Sequence, residues 1–414
     1  MKALVIAGTW SQVMLLKQLR ERGIESVLLD NNPNAIAIPY ADRFIRVDIM
    51  DVEAVKKITI EEKADFLIAV CADQVLLTVA KISEELNLPC YIDYDTACKV
   101  SDKRHMKRIF HENNIPTSKH TFMDELDLVK IKEMGMEYPL VVKPVDAYSS
   151  KGVRKCQNEE ELQQFFKEAS EISRSGAVIV EEYVDGVEIT VDFQIIDGRA
   201  HMLSASNTEK VAYKDRFVAF RSRYPASISQ ATLLRINEIG QKIADAFNLK
   251  NTPMLVQLLT NDKKESVLEF CARTGGGAKY LLIKYASGFD PITSVLNLTL
   301  GEPVELDYVR PAAKLFTNEF LYAYPGVIHH YEGFEELKQE GILEEYWPFK
   351  WPGAEIKQAV SSSDRVASIT ILADSYEELV EKHNRAAARI KLIDENGNDI
   401  LRHDLLEDIK PLDI

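Results

Sequence analysis

The sequence predicts an α/β domain at the N-terminus, followed by α+β regions that complete the chain. Five short segments are predicted strands: residues 2–7, 26–30, 43–47, 66–70 and 90–92. Three segments between them show the apolar spacing of helices: residues 11–22, 52–62 and 74–86. Alternating strands and helices form parallel sheets with helical cover, so residues 1–100 should fold as a Rossmann-like parallel-sheet domain.

The rest of the chain predicts three further regions. Residues 101–182 hold a linker helix and a small strand-and-helix unit, which we expect to form a lid. Residues 183–310 contain several strands and one long helix, as in a larger, mainly antiparallel sheet with helical cover. Residues 311–414 should form a last subdomain.

Charge and cysteine content exclude several classes of protein. The 414 residues carry 65 acidic against 50 basic side chains, a net charge of −15, which disfavours nucleic acid or a membrane surface as partner. The 5 cysteines form no C-x-x-C pair, so neither a disulfide framework nor a zinc site is expected. No run approaches the roughly 20 apolar residues of a membrane span and no cleavable leader is recognisable, so we expect a cytoplasmic protein.

Two segments far apart in the chain carry the predicted chemistry. Segment 138–144 (YPLVVKP) predicts a strand that presents Lys143, and a flexible turn follows it. Segment 267–277 (VLEFCARTGGG) predicts a strand that presents Glu269, followed by Arg273 and three glycines. A lysine beside a glycine-bearing loop suits a polyphosphate, and a carboxylate on a strand suits the Mg²⁺ that accompanies it. Together the segments predict ATP chemistry.

The common nucleotide-binding fingerprints do not occur in the sequence. It has no G-x-x-x-x-G-K-[ST] loop, and segment 8–12 (GTWSQ) is not a G-x-G-x-x-G turn. The order of its short motifs resembles instead the ATP-grasp superfamily, whose members hold ATP between two α+β subdomains. The matching segments follow the family's order: 101–103 (SDK), Lys143 with its loop, 180–188 (VEEYVDGVE), Gln257 and Glu269.

The resemblance implies how a nucleotide would be bound. Lys103 and Lys143 would contact the phosphates, and the loop after Lys143 would cover them. Segment 181–184 is similar to the family's hinge, whose main chain reads adenine, with Glu181 on the adenine side and Glu188 at the ribose. The loop has less glycine than the family's. The implied nucleotide contacts are Lys103, Lys143, Ser149, Ser150, Lys151, Gly152, Glu181, Glu182, Tyr183, Val184 and Glu188.

Gln257 and Glu269 are the predicted metal ligands. They lie on consecutive predicted strands joined by the turn 260–264, so a β-hairpin would set them side by side. The resemblance implies Mg²⁺, with Mn²⁺ as an alternative. Gln257 stands where most relatives have a glutamate, and a carboxamide supplies less charge. Cys271 stands where many have an asparagine ligand, and a thiol binds Mg²⁺ poorly. We therefore expect coordination to depend on Glu269, with Gln257 or water assisting.

The resemblance assigns Arg273 and Lys143 to catalysis. The planar fork of Arg273 would hold the acceptor substrate or the transferring phosphoryl group, and Gly275 and Gly276 would offer N–H groups to the same anion. A structural ion pair with Glu269 or another acid is the alternative for Arg273. Lys210 belongs to a polar stretch similar to the family's loop over the acceptor, and a solvated loop is the alternative there.

Segments 269–276, 324–328 (YPGVI) and 363–368 (SDRVAS) resemble the carboxylate-amine ligase group that includes L-amino acid ligases. The resemblance implies an enzyme that joins a small-molecule carboxylate to an amine through an acylphosphate, releasing ADP and phosphate, with a homodimer as one option. A carbamoyl phosphate synthetase-like or biotin carboxylase-like enzyme that forms carboxyphosphate is one alternative. The other is a nucleotide-binding regulator without catalysis, which Gln257, Cys271 and the serine-containing loop would favour.

Overall fold

The computed structural model describes residues 1–73, 75–147, 151–213, 216–306, 315–357, 364–406 and 408–409. Its strands, in chain order, are β1 Lys2–Ile6, β2 Glu25–Asp30, β3 Arg43–Arg46, β4 Phe66–Ile68, β5 His120–Met123, β6 Leu140–Pro144, β7 Arg154–Cys156, β8 Val178–Glu182, β9 Val187–Ile196, β10 Arg199–Tyr213, β11 Arg216–Tyr224, β12 Thr252–Thr260, β13 Glu265–Cys271, β14 Leu315–Leu321, β15 Gly326–Glu332, β16 Glu345–Pro348, β17 Glu355–Ile356, β18 Ala367–Ala373 and β19 Lys391–Asp394. Its α-helices are α1 Trp10–Glu21, α2 Val52–Glu61, α3 Leu76–Glu85, α4 Tyr94–Ser101, α5 Lys103–Glu112, α6 Leu128–Glu133, α7 Glu159–Ile172, α8 Gln230–Ala246, α9 Lys279–Ser287, α10 Pro291–Leu300, α11 Phe334–Gln339 and α12 Tyr376–Arg389. Short 3-10 helices lie at Ile38–Tyr40 and His403–Leu405.

The N-terminal strands form the predicted parallel sheet, in the order β3-β2-β1-β4. Alternate residues of each strand enter two different cores: Val5 packs with α1 on one face, and Leu4 packs with α2 and α3 on the other. Burial on both faces explains why β1, β2 and β4 read as largely apolar runs. The strand order reverses between β1 and β4, and in open parallel sheets the crevice at the carboxyl ends beside such a reversal is the usual ligand site.

Residues 90–92 do not form the predicted fifth strand of this sheet. Ile92 is buried against the core of the large sheet, and the hydroxyl of Tyr91 donates to the carbonyl of Ala272 at 3.3 Å. The segment is a buried link between α3 and α4. Its apolar side chains are satisfied by packing alone, which a short apolar run does not distinguish from strand pairing.

The region after α5 forms a small antiparallel sheet, the lid, in the order β5-β8-β6-β7. Helix α7 covers one face of it. Leu162, Phe165, Phe166 and Ala169 recur at helical spacing along α7 and pack on the apolar residues of β6 and β8. The lid's other face is turned toward the larger sheet described next.

A single large sheet contains eight strands of the described chain, in the order β13-β12-β9-β10-β11-β14-β18-β16. All neighbouring strands run antiparallel, as expected for this region. Helix α8 packs so closely against this sheet that a Cβ at Gly240 would come within 2.5 Å of the Phe193 ring. The sheet takes strands from both sides of residue 310, so the predicted regions 183–310 and 311–414 share it. The predicted domain bounds themselves stay predictions.

The C-terminal part also contains a small sheet in the order β17-β15-β19, which packs with α11, α12 and part of the large sheet around a core of its own. Helices α9 and α10 fill the space between the N-terminal sheet and the large sheet. None of the helices within the described ranges is long and apolar enough to cross a membrane.

Candidate nucleotide and acceptor site

A cavity of about 830 Å³, here named the large cavity, lies between the lid and the large sheet. Small-molecule sites in proteins commonly have volumes of roughly 300–1,000 Å³. Most of the residues predicted to bind nucleotide, metal or acceptor line it. They are Lys103, Lys143, Lys151, Glu181, Glu182, Tyr183, Val184, Glu188, Lys210, Gln257 and Glu269.

Three buried charged side chains meet at the lid end of the large cavity. The Nζ of Lys143 lies 2.5 Å from Oε2 of Glu181, and the Nζ of Lys107 lies 2.8 Å from Oε1. Antiparallel pairing makes this possible, because Val141 lies opposite Glu181 and Lys143 is therefore its diagonal neighbour on the same face. Burial would raise the pKa of Glu181, but the two lysines hold it well below its usual range. Glu181 is thus an anion that fixes Lys143 at the cavity wall.

Lys107 was missed by the sequence analysis. It lies one turn after Lys103 on α5, so both ammonium groups reach toward the same side of the helix. Its side chain is 1 % exposed, and it also donates to Oγ1 of Thr117 at 2.5 Å. Desolvation lowers the pKa of Lys107, while Glu181 opposes that effect. The signal was present: Lys107 stands beside Met106 on the apolar face of α5, where an unpaired lysine is not expected.

The predicted hinge runs from the end of β8 along the rim of the large cavity. The N–H of Glu182 donates to the carbonyl of Lys119 at 2.9 Å, and the N–H of Tyr183 donates to the carbonyl of Pro139 at 3.1 Å. Among the described residues no acceptor is found for the N–H of Val184. That N–H is therefore available to a ligand at the edge of the cavity.

Glu188 and Lys210 face each other across β9 and β10. Their side chains form an ion pair at 2.5 Å, and both line the large cavity. Residues 208–210 belong to strand β10, so the expectation of a polar loop is wrong at these positions. Pairing with β11 holds this polar segment in the sheet, and polarity alone did not reveal it.

Gln257 and Glu269 lie directly opposite each other on β12 and β13, as the predicted hairpin requires. Both line the large cavity, and Oε2 of Glu269 lies 3.5 Å from Nζ of Lys103. Within the described residues no group of three or more His, Cys, Asp or Glu side chains is arranged so that it could hold a metal ion. Burial raises the pKa of Cys271 well above its usual value, so its thiol is neutral. The donor set, one carboxylate and one carboxamide oxygen, fits a hard cation that takes further oxygens from a nucleotide.

Arg273 does not line the large cavity. Its guanidinium forms a two-pronged ion pair with Asp73, and its Nη1 donates to the carbonyl of Thr274 at 2.7 Å. Burial alone would raise the pKa of Asp73, but the neighbouring charge of Arg273 holds that pKa below its usual value. Asp73 was missed by the sequence analysis, although it follows β4 at the carboxyl end of the parallel sheet, where ligand-binding residues collect.

A small cavity of about 50 Å³ joins the two parts of the site. Lys103 and Glu269 line both it and the large cavity, and Asp73 and Cys271 also line the small cavity. The Arg273–Asp73 pair therefore adjoins side chains that line the large cavity.

The glycines after Arg273 also lie away from the large cavity. A Cβ at Gly275 would come within 2.8 Å of the Lys279 side chain, and one at Gly276 would lie 3.6 Å from the carbonyl of Cys71. In the loop after Lys143, Gly152 has a φ of +76° and no room for a Cβ beside Pro144, so this turn requires glycine. Ser149 and Ser150, predicted nucleotide contacts, lie outside the described residues.

A second group of buried charges was not predicted. Nε of Arg221 donates to Oε1 of Glu319 at 2.6 Å, its Nη1 donates to Oε2 of Glu209 at 3.2 Å, and its Nη2 lies 3.2 Å from Nε2 of His383. Glu209 also pairs with Arg223. Arg221, Arg223 and Glu209 line the large cavity opposite the lid. Arginines two apart on β11 share one face of the strand, and this period was the signal that the sequence offered.

The lid, the large sheet and the order of the lining residues are similar to those of ATP-grasp proteins. The family model described as "ATP-grasp domain" matches residues 136–280, and the model described as "L-amino acid ligase C-terminal domain 2" matches residues 319–395. The predicted resemblance to the ATP-grasp superfamily and the predicted fold class are thereby confirmed.

Known proteins agree with this placement at low identity. The carbamoyl phosphate synthase large chain of Pyrococcus furiosus is 24 % identical over 269 residues, which are 64 % of this chain and 25 % of that protein. The chain thus spans about a quarter of that relative's length. Crystal structures of an L-amino acid ligase from Bacillus licheniformis (TM-score 0.78, 21 % identity, 95 % of this chain and 99 % of that one) and of the biotin carboxylase domain dimer of 2-oxoglutarate carboxylase from Hydrogenobacter thermophilus, in complex with MgADP and bicarbonate (TM-score 0.79, 15 % identity, 98 % and 92 %), share its fold.

Proposed function

We propose that this protein is an ATP-dependent carboxylate-amine ligase that forms an amide or peptide bond through an acylphosphate. The observation that carries the proposal is the continuity of the site. Lys103 and Glu269 line both the large cavity and the small cavity, and the Arg273–Asp73 pair follows directly. A nucleotide in the large cavity would direct its phosphates toward an acceptor beside Arg273. The C-terminal match to an L-amino acid ligase domain supports the same class.

The proposed reaction has two steps. In the first, an oxygen of the substrate carboxylate attacks the γ-phosphorus of ATP, and the bond from that phosphorus to ADP breaks. In the second, the amine nitrogen attacks the acyl carbon, phosphate leaves with the bonding electrons, and the amine proton passes to phosphate or solvent. Neither step requires a nucleophile from the protein, so catalysis rests on positioning and on charge stabilisation.

Within this proposal the side chains divide into three groups. Lys143, held by Glu181, and Lys103 neutralise phosphate charge, and the loop with Ser149, Ser150, Lys151 and Gly152 covers the phosphates. Glu182, Tyr183 and Val184 read the base, and Glu188 takes the ribose. Arg273, Gly275, Gly276 and Lys210 serve the acceptor. The buried ion pairs of Lys143 and Arg273 support these roles, because a fixed cation needs no reorganisation when charge develops.

Gln257 and Glu269 would hold Mg²⁺, or Mn²⁺ in its place. When bound, the ion would supply positive charge to the phosphate oxygens. Because Glu269 provides the only carboxylate of the pair, Glu269→Gln should remove Mg²⁺-dependent tightening of ADP binding, measured by calorimetry with and without the ion. Gln257→Glu keeps an oxygen ligand and should preserve it. Equal damage from both substitutions would show that the proposed ligand pair is wrong.

A carboxyphosphate-forming enzyme is the second candidate, favoured by the matches to carbamoyl phosphate synthase and to a biotin carboxylase domain. Both candidates release ADP, but with different acceptors. The decisive experiment screens amino acids and other carboxylates, singly and in pairs, and bicarbonate for ADP release. ADP release that requires a carboxylate and an amine supports the ligase, and ADP release with bicarbonate supports the second candidate. If neither acceptor causes ADP release, a nucleotide-binding regulator is left.

We further propose that the protein acts in the cytoplasm on small molecules, with a homodimer as one option. The low cysteine use and the acidic net charge support the location and the choice of substrates. Light scattering coupled to size-exclusion chromatography tests the oligomeric state.

A further inference from the structure

A second pocket, here named the aromatic pocket, lies beside the N-terminal sheet and has a volume of about 290 Å³. Its walls combine the rings of Trp10, Trp347 and Phe349 with the cationic side chains of Lys350 and Arg365. Smaller residues complete the lining: Thr9, Ser11, Cys71 and Gly277. The pocket is thus apolar on one part of its surface and positively charged on another.

Uncharged groups hold the side chain of Arg365 at the pocket, and a main-chain hydrogen bond places Lys350 there. The guanidinium carbon of Arg365 lies 3.5 Å from the centre of the Phe320 ring, and its Nε donates to the hydroxyl of Tyr322 at 3.3 Å. The backbone of Lys350 donates to the carbonyl of Val366 at 3.2 Å. Within the described residues neither cation forms an ion pair, and no Asp or Glu lines the pocket. Two unneutralised cations beside aromatic rings suit a ligand that carries both a carboxylate and an apolar group.

The position of the pocket in the fold is that of a ligand site. Thr9, Trp10 and Ser11 follow the carboxyl end of β1, and Cys71 follows the carboxyl end of β4. These are the two strands between which the order of the parallel sheet reverses. Open α/β sheets bind ligands in the crevice at this point, because the loops diverge there and leave a space.

The pocket also adjoins the acceptor half of the site. Gly277 belongs to the loop that begins at Arg273, and Cys71 is two residues from Asp73, the partner of Arg273. Asp73 of that pair also lines the small cavity. A molecule in the aromatic pocket would therefore lie close to the Arg273–Asp73 pair.

We propose that the aromatic pocket binds the amine substrate, and that this substrate is an amino acid with an aromatic or large apolar side chain. The inference rests on the proposed ligase function. Lys350 and Arg365 hold the carboxylate of this amino acid away from the phosphates, so that it stays unreacted, and the rings of Trp10 and Phe349 contact its side chain. Its amine is then the group that faces Arg273.

Binding can be measured without turnover. L-phenylalanine, L-phenylalaninamide and glycine are titrated by calorimetry into the protein saturated with Mg²⁺ and ADP. L-phenylalanine should bind at least tenfold more tightly than the other two, because only it offers both a ring and a carboxylate. Lys350→Met should remove the preference for the acid over the amide, and Arg365→Lys should weaken it in a protein that keeps the charge. Lys357→Met, an exposed lysine outside the pocket, is the matched control and should change nothing. Equal affinity for acid and amide in the unaltered protein, or equal effects of Lys350→Met and Lys357→Met, would overturn the proposal.

Tryptophan fluorescence locates the bound ring. Trp10 lines the pocket, whereas Trp351 is 38 % exposed and outside it. The signal change on L-phenylalanine binding should persist in Trp351→Phe and shrink in Trp10→Phe, and the reverse pattern would refute this location.

Turnover separates this inference from the proposed function. As amine substrate, L-phenylalaninamide should still support ADP release with a second carboxylate, at a KM at least tenfold above that of L-phenylalanine. Ligase activity without any preference for aromatic amines would refute the pocket and leave the function. Tight binding of L-phenylalanine without ADP release for any pair would refute the function and leave the pocket.

Discussion

Two groups of buried charges face each other across the large cavity, and they differ in charge balance. The lid centre consists of Glu181 between Lys107 and Lys143, two basic groups around one acidic group. Among the described residues, the sheet centre contains Arg221 and Arg223 with Glu209 and Glu319, two of each sign. Burial lowers the pKa of His383 beside Arg221, so the histidine adds no charge at neutral pH.

The difference indicates which centre acts on a ligand. A balanced group of buried charges satisfies itself, and removing one member leaves an uncompensated charge that destabilises the fold. An excess of basic groups is costly unless an anion offsets it, and the lid centre opens on the cavity where nucleotide phosphates would lie. We therefore expect the sheet centre to govern stability and the lid centre to govern turnover.

The largest expected effect is on stability at the sheet centre. Arg221→Met leaves Glu319 buried without its main partner and should lower the free energy of unfolding by about 3–5 kcal/mol. Urea denaturation measures this. Arg221→Met combined with Glu319→Leu should recover part of the loss, since the isolated charge is then gone. ADP affinity of the folded single variant should change little, and a large loss of affinity at unchanged stability would reverse the assignment of the two centres.

Lys143→Met tests the lid centre. Glu181 keeps Lys107 as a partner, so the fold should persist, while ATP turnover should fall by about a hundred- to a thousandfold because a fixed phosphate-facing cation is lost. ADP release under saturating ATP is the measurement. Lys130→Met, on an exposed face of α6 in the same lid, is the control and should keep full activity. Unchanged turnover in Lys143→Met would exclude the phosphate role.

Arg273 sharpens the comparison, because its pair with Asp73 is balanced in charge but adjoins the acceptor half. Arg273→Lys keeps the charge and loses the two-pronged geometry, so amide formation should fall by one to several orders of magnitude, on the order of 2–4 kcal/mol. Nucleotide affinity, measured by calorimetry, should survive. Lost nucleotide binding with normal chemistry would place Arg273 elsewhere and weaken the ligase proposal.

The smallest expected effect is on the pH dependence of stability. The pKa of Glu181 is lowered in the folded state, so its stabilising contribution is present above its unfolded value near 4.5 and is lost as pH falls below that value. Below that pH the free energy of unfolding should fall by up to about 1.4 kcal/mol for each pH unit because of this carboxylate. Urea denaturation between pH 7 and pH 3.5 should show a shallower acid loss in Glu181→Gln than in Glu182→Gln, whose carboxylate pairs at the surface. Parallel curves for the two variants would contradict the buried anion.

The sequence predicted the fold well where one local pattern had one physical cause. Largely apolar runs predicted β1, β2 and β4, because a parallel sheet is covered on both faces. The turn 260–264 placed Gln257 opposite Glu269 because a hairpin fixes the register of its strands. The same reasoning failed at residues 90–92, where packing against another element replaced strand pairing, and at 208–210, where a polar segment became part of β10.

By itself, the sequence determined the order of the motifs, and with it the superfamily, the fold class and the main lining of the large cavity. Only the tertiary structure decided the partners. Lys107 and Glu181 are 74 residues apart, and Asp73 and Arg273 are 200 residues apart. No local sequence pattern links such distant pairs. The aromatic pocket likewise draws on loops after β1 and β4 and on Trp347, Phe349, Lys350 and Arg365. Such groupings depend on how separate sheets pack together, and that is set by the shape and burial of whole surfaces rather than by the spacing of residues along the chain.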